Sequence, residues 1–331
     1  MASYYYSRLL HPMLELPETF PEHVENACLA IRDACEGLGT NEEAVIAAIT
    51  SVHEMDRELI VHRYKQIYGE ELTEVLKSET SGDFRFLLRL LSMPLHHMEA
   101  WVLREATKGL GTTERLLYPI VVGRTPAEMN LLKRTYYDLF NEDLGVLMDS
   151  ELSGDFRKVI TAAVQAQVVP FKDDYHTSEK AEEDADKIYK AGEGKWGTDE
   201  ATFIQVLFSS PPQYVNMINQ WYLKKYNNSL RVAVEKEFGG DAKKALLFYV
   251  GLALDPYKTF ADHFESTMKG IGTDEKGLSV TLVRFRPWLR DVAKQYEREY
   301  SQSLRDRIKG ETNGDYRKLL LALYDAPFVA P

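Results

Sequence analysis

GLGT at Gly37–Thr40, followed by ETSGDFRFLLRLL at Glu79–Leu91, is the pair of segments whose reading decides the fold. Neither is distinctive alone, but both recur. The tetrapeptide or a close variant returns as GLGT at Gly109–Thr112, KWGT at Lys195–Thr198 and GIGT at Gly270–Thr273. Its last glycine stands at 39, 111, 197 and 272, so successive copies lie 72, 86 and 75 residues apart. The acid-led segment returns as ELSGD at 151–155, EFGGD at 237–241 and ETNGD at 311–315. Between the two comes a Tyr-x-x-x-aromatic pair: Tyr64/Tyr68, Tyr136/Phe140, Tyr222/Tyr226 and Tyr296/Tyr300. A leucine follows four residues on, at Leu72, Leu144, Leu230 and Leu304. Four copies kept in phase over this length mark a repeat architecture.

Each copy reads as helices. The loop threonine is a good N-cap with acids in the next turn: Thr40 before Glu42 and Glu43, Thr198 before Asp199 and Glu200. Thr40 and Glu43 have the spacing of a capping box. Val45, Ile46, Ile49 and Val52 then form a stripe of helical period. A second helix carries the aromatic–aromatic–leucine face, which reads as core. The Gly-Asp pair opens another helix, and strand-like alternation is hardly visible. Pro119, where the other copies have Ala47, Gln205 and Val280, should remove a backbone bond and bend its helix. The extra length between the second and third copies falls at about 165–186. It reads as a polar connector and a charged helix start whose acids, interleaved with Lys180 and Lys187, make a solvated face. The resulting division is a head at 1–20 and repeats at 21–92, 93–166, 167–255 (with the connector) and 256–331.

Composition narrows the function. The 331 residues are 44% hydrophobic and 27% charged, ordinary for a globular chain. No apolar run approaches the roughly 18 residues of a membrane span, and the N-terminus lacks a signal-peptide pattern. A soluble, cytoplasmic protein is expected. Cys28 and Cys35, about 10 Å apart if they share a helix, are too distant for a disulfide and read as reduced thiols. The net charge of −11 argues against nucleic acid, and equally against direct attachment to anionic lipid, which needs clustered Lys and Arg. The eight histidines form no HExxH, and no nucleophile-elbow or paired-cysteine motif is present, so no enzyme is expected. Any attachment to phosphate surfaces must be bridged by something positive.

The glycine loops and their distant acids supply a place for such a bridge. Glycine permits positive φ, which turns carbonyls toward one point, and Ca²⁺ takes carbonyl oxygens together with a bidentate carboxylate. Glu79, Glu151 and Glu237 each follow the loop's last glycine by 40 residues. Glu311 follows by 39, and Tyr296 shows the same one-residue deletion. A P-loop would require GxxxxGK[ST] between a strand and a helix, which is absent. Glycines could instead merely close a helix–helix turn, but four loops tracking four acids favour a site. One carboxylate per site implies weak affinity, roughly 10⁻⁴ to 10⁻³ M, with positions left for lipid phosphate. The residue between the loop glycines is Leu38, Leu110 or Ile271, and Trp196 in the third copy. An apolar tip on a polar loop, and tryptophan above all, suits a bilayer interface.

These residues closely resemble the annexin family, in the four-repeat layout, the G-x-G-T loops, the downstream acid and the long gap after the second repeat. The resemblance covers about 22–329. It implies an all-α curved disc of four repeats of about five helices, with calcium sites that bind phosphatidylserine-type membranes. It assigns the carbonyls of Cys35, Gly37 and Gly39 with Glu79; of Thr107, Gly109 and Gly111 with Glu151; and of Met268, Gly270 and Gly272 with Glu311. The third loop, GEGKWGT, has the family's shifted form, which implies Gly192, Lys195 and Gly197 with Glu237. Lys108 and Lys269 would join the apolar tips in contacting lipid. Glu36 replaces the usual basic residue of the first loop, and GGDAKK at 239–244 lacks the aromatic and arginine of GDFR. Glu99 and Arg124 match polar-channel positions, but Val280 stands where an arginine is common, which argues against conduction. Cytoskeletal or membrane-protein partners and lateral self-association on membranes are compatible with this reading. A role in membrane organisation, trafficking or scaffolding would follow.

Overall fold

A computed structural model describes residues 16–37, 39–53, 56–108 and 111–326. The expectations for Leu38, Gly109 and Leu110 therefore lie outside the described residues. Four sets of five α-helices make up the chain, with no strand among the described residues. The first set is Glu22–Cys35, Arg57–Tyr68 flanked by Glu42–Ser51 and Leu72–Glu79, and Gly82–Leu91. The second runs Leu95–Ala106, Glu114–Val121, Pro126–Phe140, Leu144–Glu151, Gly154–Gln165. The third runs Ser178–Ala191, Glu200–Ser209, Pro212–Tyr226, Leu230–Glu237, Gly240–Leu254. The fourth runs Pro256–Met268, Glu275–Phe285, Leu289–Tyr300, Leu304–Glu311, Gly314–Asp325. The all-α, five-helix expectation holds.

The recurring aromatics explain why each set closes on itself. Tyr64, Tyr136, Tyr222 and Tyr296 are completely buried, and so are the following leucines or nearly so. Each tyrosine packs on the second aromatic of its pair, with ring centroids 4.6, 4.8, 5.1 and 4.7 Å apart in chain order. Burying such a ring contributes ~1.5–3 kcal/mol. The Gly-Asp glycines, Gly82, Gly154, Gly240 and Gly314, enter the fifth helix at φ 55–59°, a left-handed backbone that a side chain disfavours. That requirement is why a glycine precedes each aspartate.

The chain forms two compact units, Met1–Met98 with Phe260–Pro331, and Glu99–Thr259. In the first, the fifth helix of repeat one packs on the second helix of repeat four, and the fifth helix of repeat four on the second of repeat one. Lys318 bonds Glu43 across this contact at 2.9 Å. The second unit repeats the pattern with repeats two and three, including the Lys158–Glu200 pair at 3.4 Å.

Three details differ from the sequence reading. The loop threonines are not N-caps: Asn41, Asp199 and Asp274, one residue later, accept the capping bonds from Ala44, Thr202 and Gly277. Thr40 and Glu43 form no capping box; the box is Thr125 with Glu128. Asx residues cap at least as well as threonine, and the threonine hydroxyls are used elsewhere. Pro119 does lie inside its helix, which has 8 residues against 10 in repeats one and three. Finally, the charged helix after the connector is not a wholly solvated face. Asp184 is buried and accepts from Tyr214 Oη at 2.7 Å, while Glu182 and Asp186 pair with Lys225 at 3.0 and 2.6 Å. The long connector thus delivers a helix whose acids dock on the third helix of its own repeat.

Candidate metal centres

Each loop joins the first helix of its repeat to the second and is closed by one backbone bond. The residue after the loop threonine donates to a carbonyl near the first helix's C-terminus: Asn41 to Ala34 (2.9 Å), Thr113 to Ala106 (2.8 Å), Asp199 to Ala191 (2.7 Å), Asp274 to Thr267 (2.8 Å). Three loops span seven residues between these partners; the third spans eight. The extra residue is absorbed by a tight turn in which Gly194 donates to the Tyr189 carbonyl (2.7 Å) and Lys195 to Gly192 (3.0 Å). This is the physical content of the shifted GEGKWGT form. Gly37 and Gly270 have φ 106° and 119°, and Gly39, Gly111, Gly197 and Gly272 have φ 77–94°, so the glycines supply a backbone other residues rarely adopt.

The acids come to the loops. Each sits at or near the end of the fourth helix, and in every copy the loop threonine reaches it. Thr40 Oγ1 donates to Glu79 Oε2 at 2.9 Å, and Thr273 Oγ1 to Glu311 Oε2 at 3.1 Å. Thr198 Oγ1 donates to Glu237 Oε2, and Thr112 Oγ1 to the Glu151 backbone carbonyl at 3.3 Å. In the third copy a Cβ on Gly192 would lie 2.8 Å from Glu237 Cγ, so only glycine allows the acid to approach this backbone so closely. In the first copy, burial and then the charge of Glu79 push the Cys35 thiol up to about 11. Burial likewise pushes Cys28 up to about 12, and both cysteines are free. In the first, third and fourth copies a carboxylate thus lies at a glycine-containing turn, a combination of oxygen groups suited to a hard cation, whereas in the second the loop threonine reaches the Glu151 backbone. Among the described residues no group of three or more His, Cys, Asp or Glu gathers as a metal cluster. In the first unit, Glu79 and Glu311 both line one groove of about 590 Å³, together with Glu42, Asp83, Glu275 and Asp315.

The described tips are bare. Trp196 is 103% exposed and Ile271 110%, against a core in which most aromatics are sealed. Lys195 and Lys269 are exposed beside them; Lys108 is exposed and bonds Glu105 at 2.7 Å. Glu36 lies 3.4 Å from Arg32 on its own helix. Thr107 and Met268 are buried.

The threonine link and the loop-closing bond were not anticipated from the sequence, although the threonine recurs in all four copies. A third unanticipated residue is Arg307. Its Nη2 donates to the Met268 carbonyl at 2.7 Å, and its Nη1 lies 2.7 Å from Glu311 Oε1. The one-residue deletion of the fourth copy, by contrast, is remote from the loop in sequence. The residues after the second helix are extended at Val52, Val122 and Ser210, but Arg286 is helical and runs through a 3₁₀ turn, Arg286–Trp288, directly into the third helix.

The annexin family model matches residues 26–91, 98–163, 183–248 and 259–323. This chain belongs to the annexin family. Human annexin A13 is 36% identical over 315 residues, which cover 95% of this chain and 98% of that one. The solved structure of annexin III superposes with a TM-score of 0.85 at 30% identity, covering 94% of this chain and 95% of that chain. A calcium-bound annexin (Sm)1 does so with a TM-score of 0.77 at 28% identity, covering 94% and 92%. Annexins are known for calcium-dependent phospholipid binding. No helix among the described residues is long and apolar enough to cross a membrane.

Proposed function

We propose that this annexin binds acidic, phosphatidylserine-like membranes peripherally, when calcium rises, through its first three loops above all. The single observation that carries the reading is the threonine bond. In each copy it ties a glutamate from the fourth helix to a glycine loop, and the described tips of those loops are fully exposed apolar side chains. The residues that would hold calcium are Cys35, Gly37, Gly39 and Glu79; Thr107, Gly109, Gly111 and Glu151; and Gly192, Lys195, Gly197 and Glu237. Bound there, the ion would supply the positive charge that a chain of net −11 lacks toward lipid phosphate. The chain's own part is to hold the carboxylates in place and to present Trp196 and Ile271 to the interface. Its site of action would be the cytoplasmic face of a membrane, with membrane organisation or scaffolding as the consequence.

The test is cosedimentation with phosphatidylserine and with phosphatidylcholine vesicles, in calcium and in chelator. Pelleting should require both phosphatidylserine and calcium. Equal pelleting in chelator would sink the calcium bridge.

A further inference from the structure

We infer that the fourth loop carries its own cation: the Arg307 guanidinium stands where calcium would bind, making this loop the last to take the ion. The inference rests on the calcium reading above. Arg307 lies on the fourth helix, one turn before Glu311. Its Nη2 donates to the Met268 carbonyl (2.7 Å), its Nη1 lies 2.7 Å from Glu311 Oε1, and its Nε lies 3.6 Å from Glu265 Oε2. The other carboxylate oxygen of Glu311 accepts from Thr273 at 3.1 Å. One planar cation therefore engages the carbonyl and the carboxylate that the family pattern would assign to calcium. Two of the four residues assigned to the fourth site, Met268 and Glu311, are therefore already engaged.

Among the described residues no other copy has this arrangement. Four residues before the acid stand Val75, Leu147 and Ala233, all apolar. Among the described residues no cation pairs with Glu79, Glu151 or Glu237. Lys236, beside Glu237 in sequence, turns instead to Glu193 at 2.6 Å. A guanidinium stays charged at every working pH, so proton loss gives calcium no way in. Two cations cannot share these acceptors; the ion must displace two charge-assisted hydrogen bonds. Losing bonds of that kind should raise the calcium needed at this loop about ten-fold or more. The loop that presents Ile271 is also held in shape without calcium.

The test is diffraction from crystals of the full chain soaked in graded calcium chloride, reading anomalous density loop by loop. In the unaltered chain, density at Gly192, Gly197 and Glu237 should appear at about ten-fold lower calcium than density at Gly270, Gly272 and Glu311. Arg307→Met should bring the two loops within about three-fold of each other. If that variant does not fold, Arg307→Gln removes the charge and keeps a donor for Met268. A fourth loop that fills together with the third while Arg307 is present overturns this inference alone. So does a fourth loop that stays empty in a folded Arg307 variant. Loops empty throughout would overturn the calcium reading and this inference with it.

Discussion

The third and fourth repeats share a helix plan and a threonine–glutamate tie, yet they solve the problem of a negatively charged loop differently. In the third, Thr198 is the one hydrogen-bond partner of the Glu237 carboxylate among the described residues, and the nearby Glu193 absorbs the local donors: Tyr222 Oη at 2.8 Å, Asn228 at 2.9 Å and Lys236 at 2.6 Å. Burial alone would raise the Glu193 pKa; the Lys236, Tyr222 and Asn228 donors outweigh it and hold the carboxyl below its usual range. In the fourth, Tyr296 Oη donates to Glu265, and the cation beside it, Arg307, reaches past Glu265 to Glu311 and Met268. A difference in where one basic side chain sits on the fourth helix leaves one carboxylate open and neutralises the other. Loops with the same motif need not have the same readiness for an ion.

The largest expected effect concerns the tips. Trp196→Ala should weaken calcium-dependent binding to phosphatidylserine vesicles by about 10- to 100-fold, if the ring loses the ~1.5–3 kcal/mol of a buried large side chain. Ile271→Ala should cost less, because the smaller side chain buries less area. In the unaltered protein Trp196 fluorescence should shift to the blue only when vesicles and calcium are both present. An unshifted spectrum alongside full binding would mean that this tip stays in water.

Next come the acids. Glu237→Gln should raise the calcium needed for half-binding about ten-fold, whereas Glu311→Gln should raise it less than about three-fold. Vesicle cosedimentation across a calcium series measures both. Equal effects would erase the distinction between the two loops.

What the sequence made legible follows from the kind of signal each feature carries. The repeat, the buried tyrosines and the loop–acid pairing were readable because each recurs at fixed spacing, and recurrence separates a pattern from chance. The capping was misread because Thr40 and Asn41 are both good N-caps; which one caps depends on a glutamate 39 residues away claiming the threonine. The connector was misread because alternating charges look the same on a solvated face and on a face docked by Lys225 and Tyr214. Arg307 was visible as a change from Val75, Leu147 and Ala233 at one register position. Its meaning required knowing that an arginine there reaches both a loop carbonyl and the acid.

A third comparison of these repeats uses pH. Each has a buried histidine whose pKa is depressed. His176 is lowered by burial and then by Lys180; His263 is lowered to about 3 by burial and then by the charge of Arg284. The unfolded chain takes up a proton near 6.5, but folded His263 does not until about 3. Stability should therefore fall as pH drops from about 6.5 toward 3, by up to ~1.4 kcal/mol per pH unit for His263. Urea unfolding at pH 7.5 and 5.5 should show the loss, and His263→Phe should reduce it more than His176→Phe, because folded His263 resists protonation further. An unchanged pH difference in His263→Phe would mean that other groups set the acid sensitivity.

The smallest effect is the most discriminating. Thr198→Val keeps the shape of the side chain and removes the hydroxyl that holds Glu237, so in chelator it should cost ~0.5–1.5 kcal/mol, the net worth of one hydrogen bond. Thr273→Val removes a hydroxyl that reaches both the Glu311 backbone carbonyl (3.2 Å) and Oε2 (3.1 Å), but Arg307 still holds that carboxylate from its other oxygen. The fourth-loop variant should therefore lose less stability and keep its loop conformation. In Thr198→Val the Glu237 carboxylate becomes free to leave the loop, and the calcium requirement should rise as well. Urea unfolding in chelator compares the two variants, and the calcium series then asks whether the third loop alone has changed its need for the ion. Equal losses in both variants would show that Arg307 does not substitute for the threonine, and that the two loops are held by the same single bond after all.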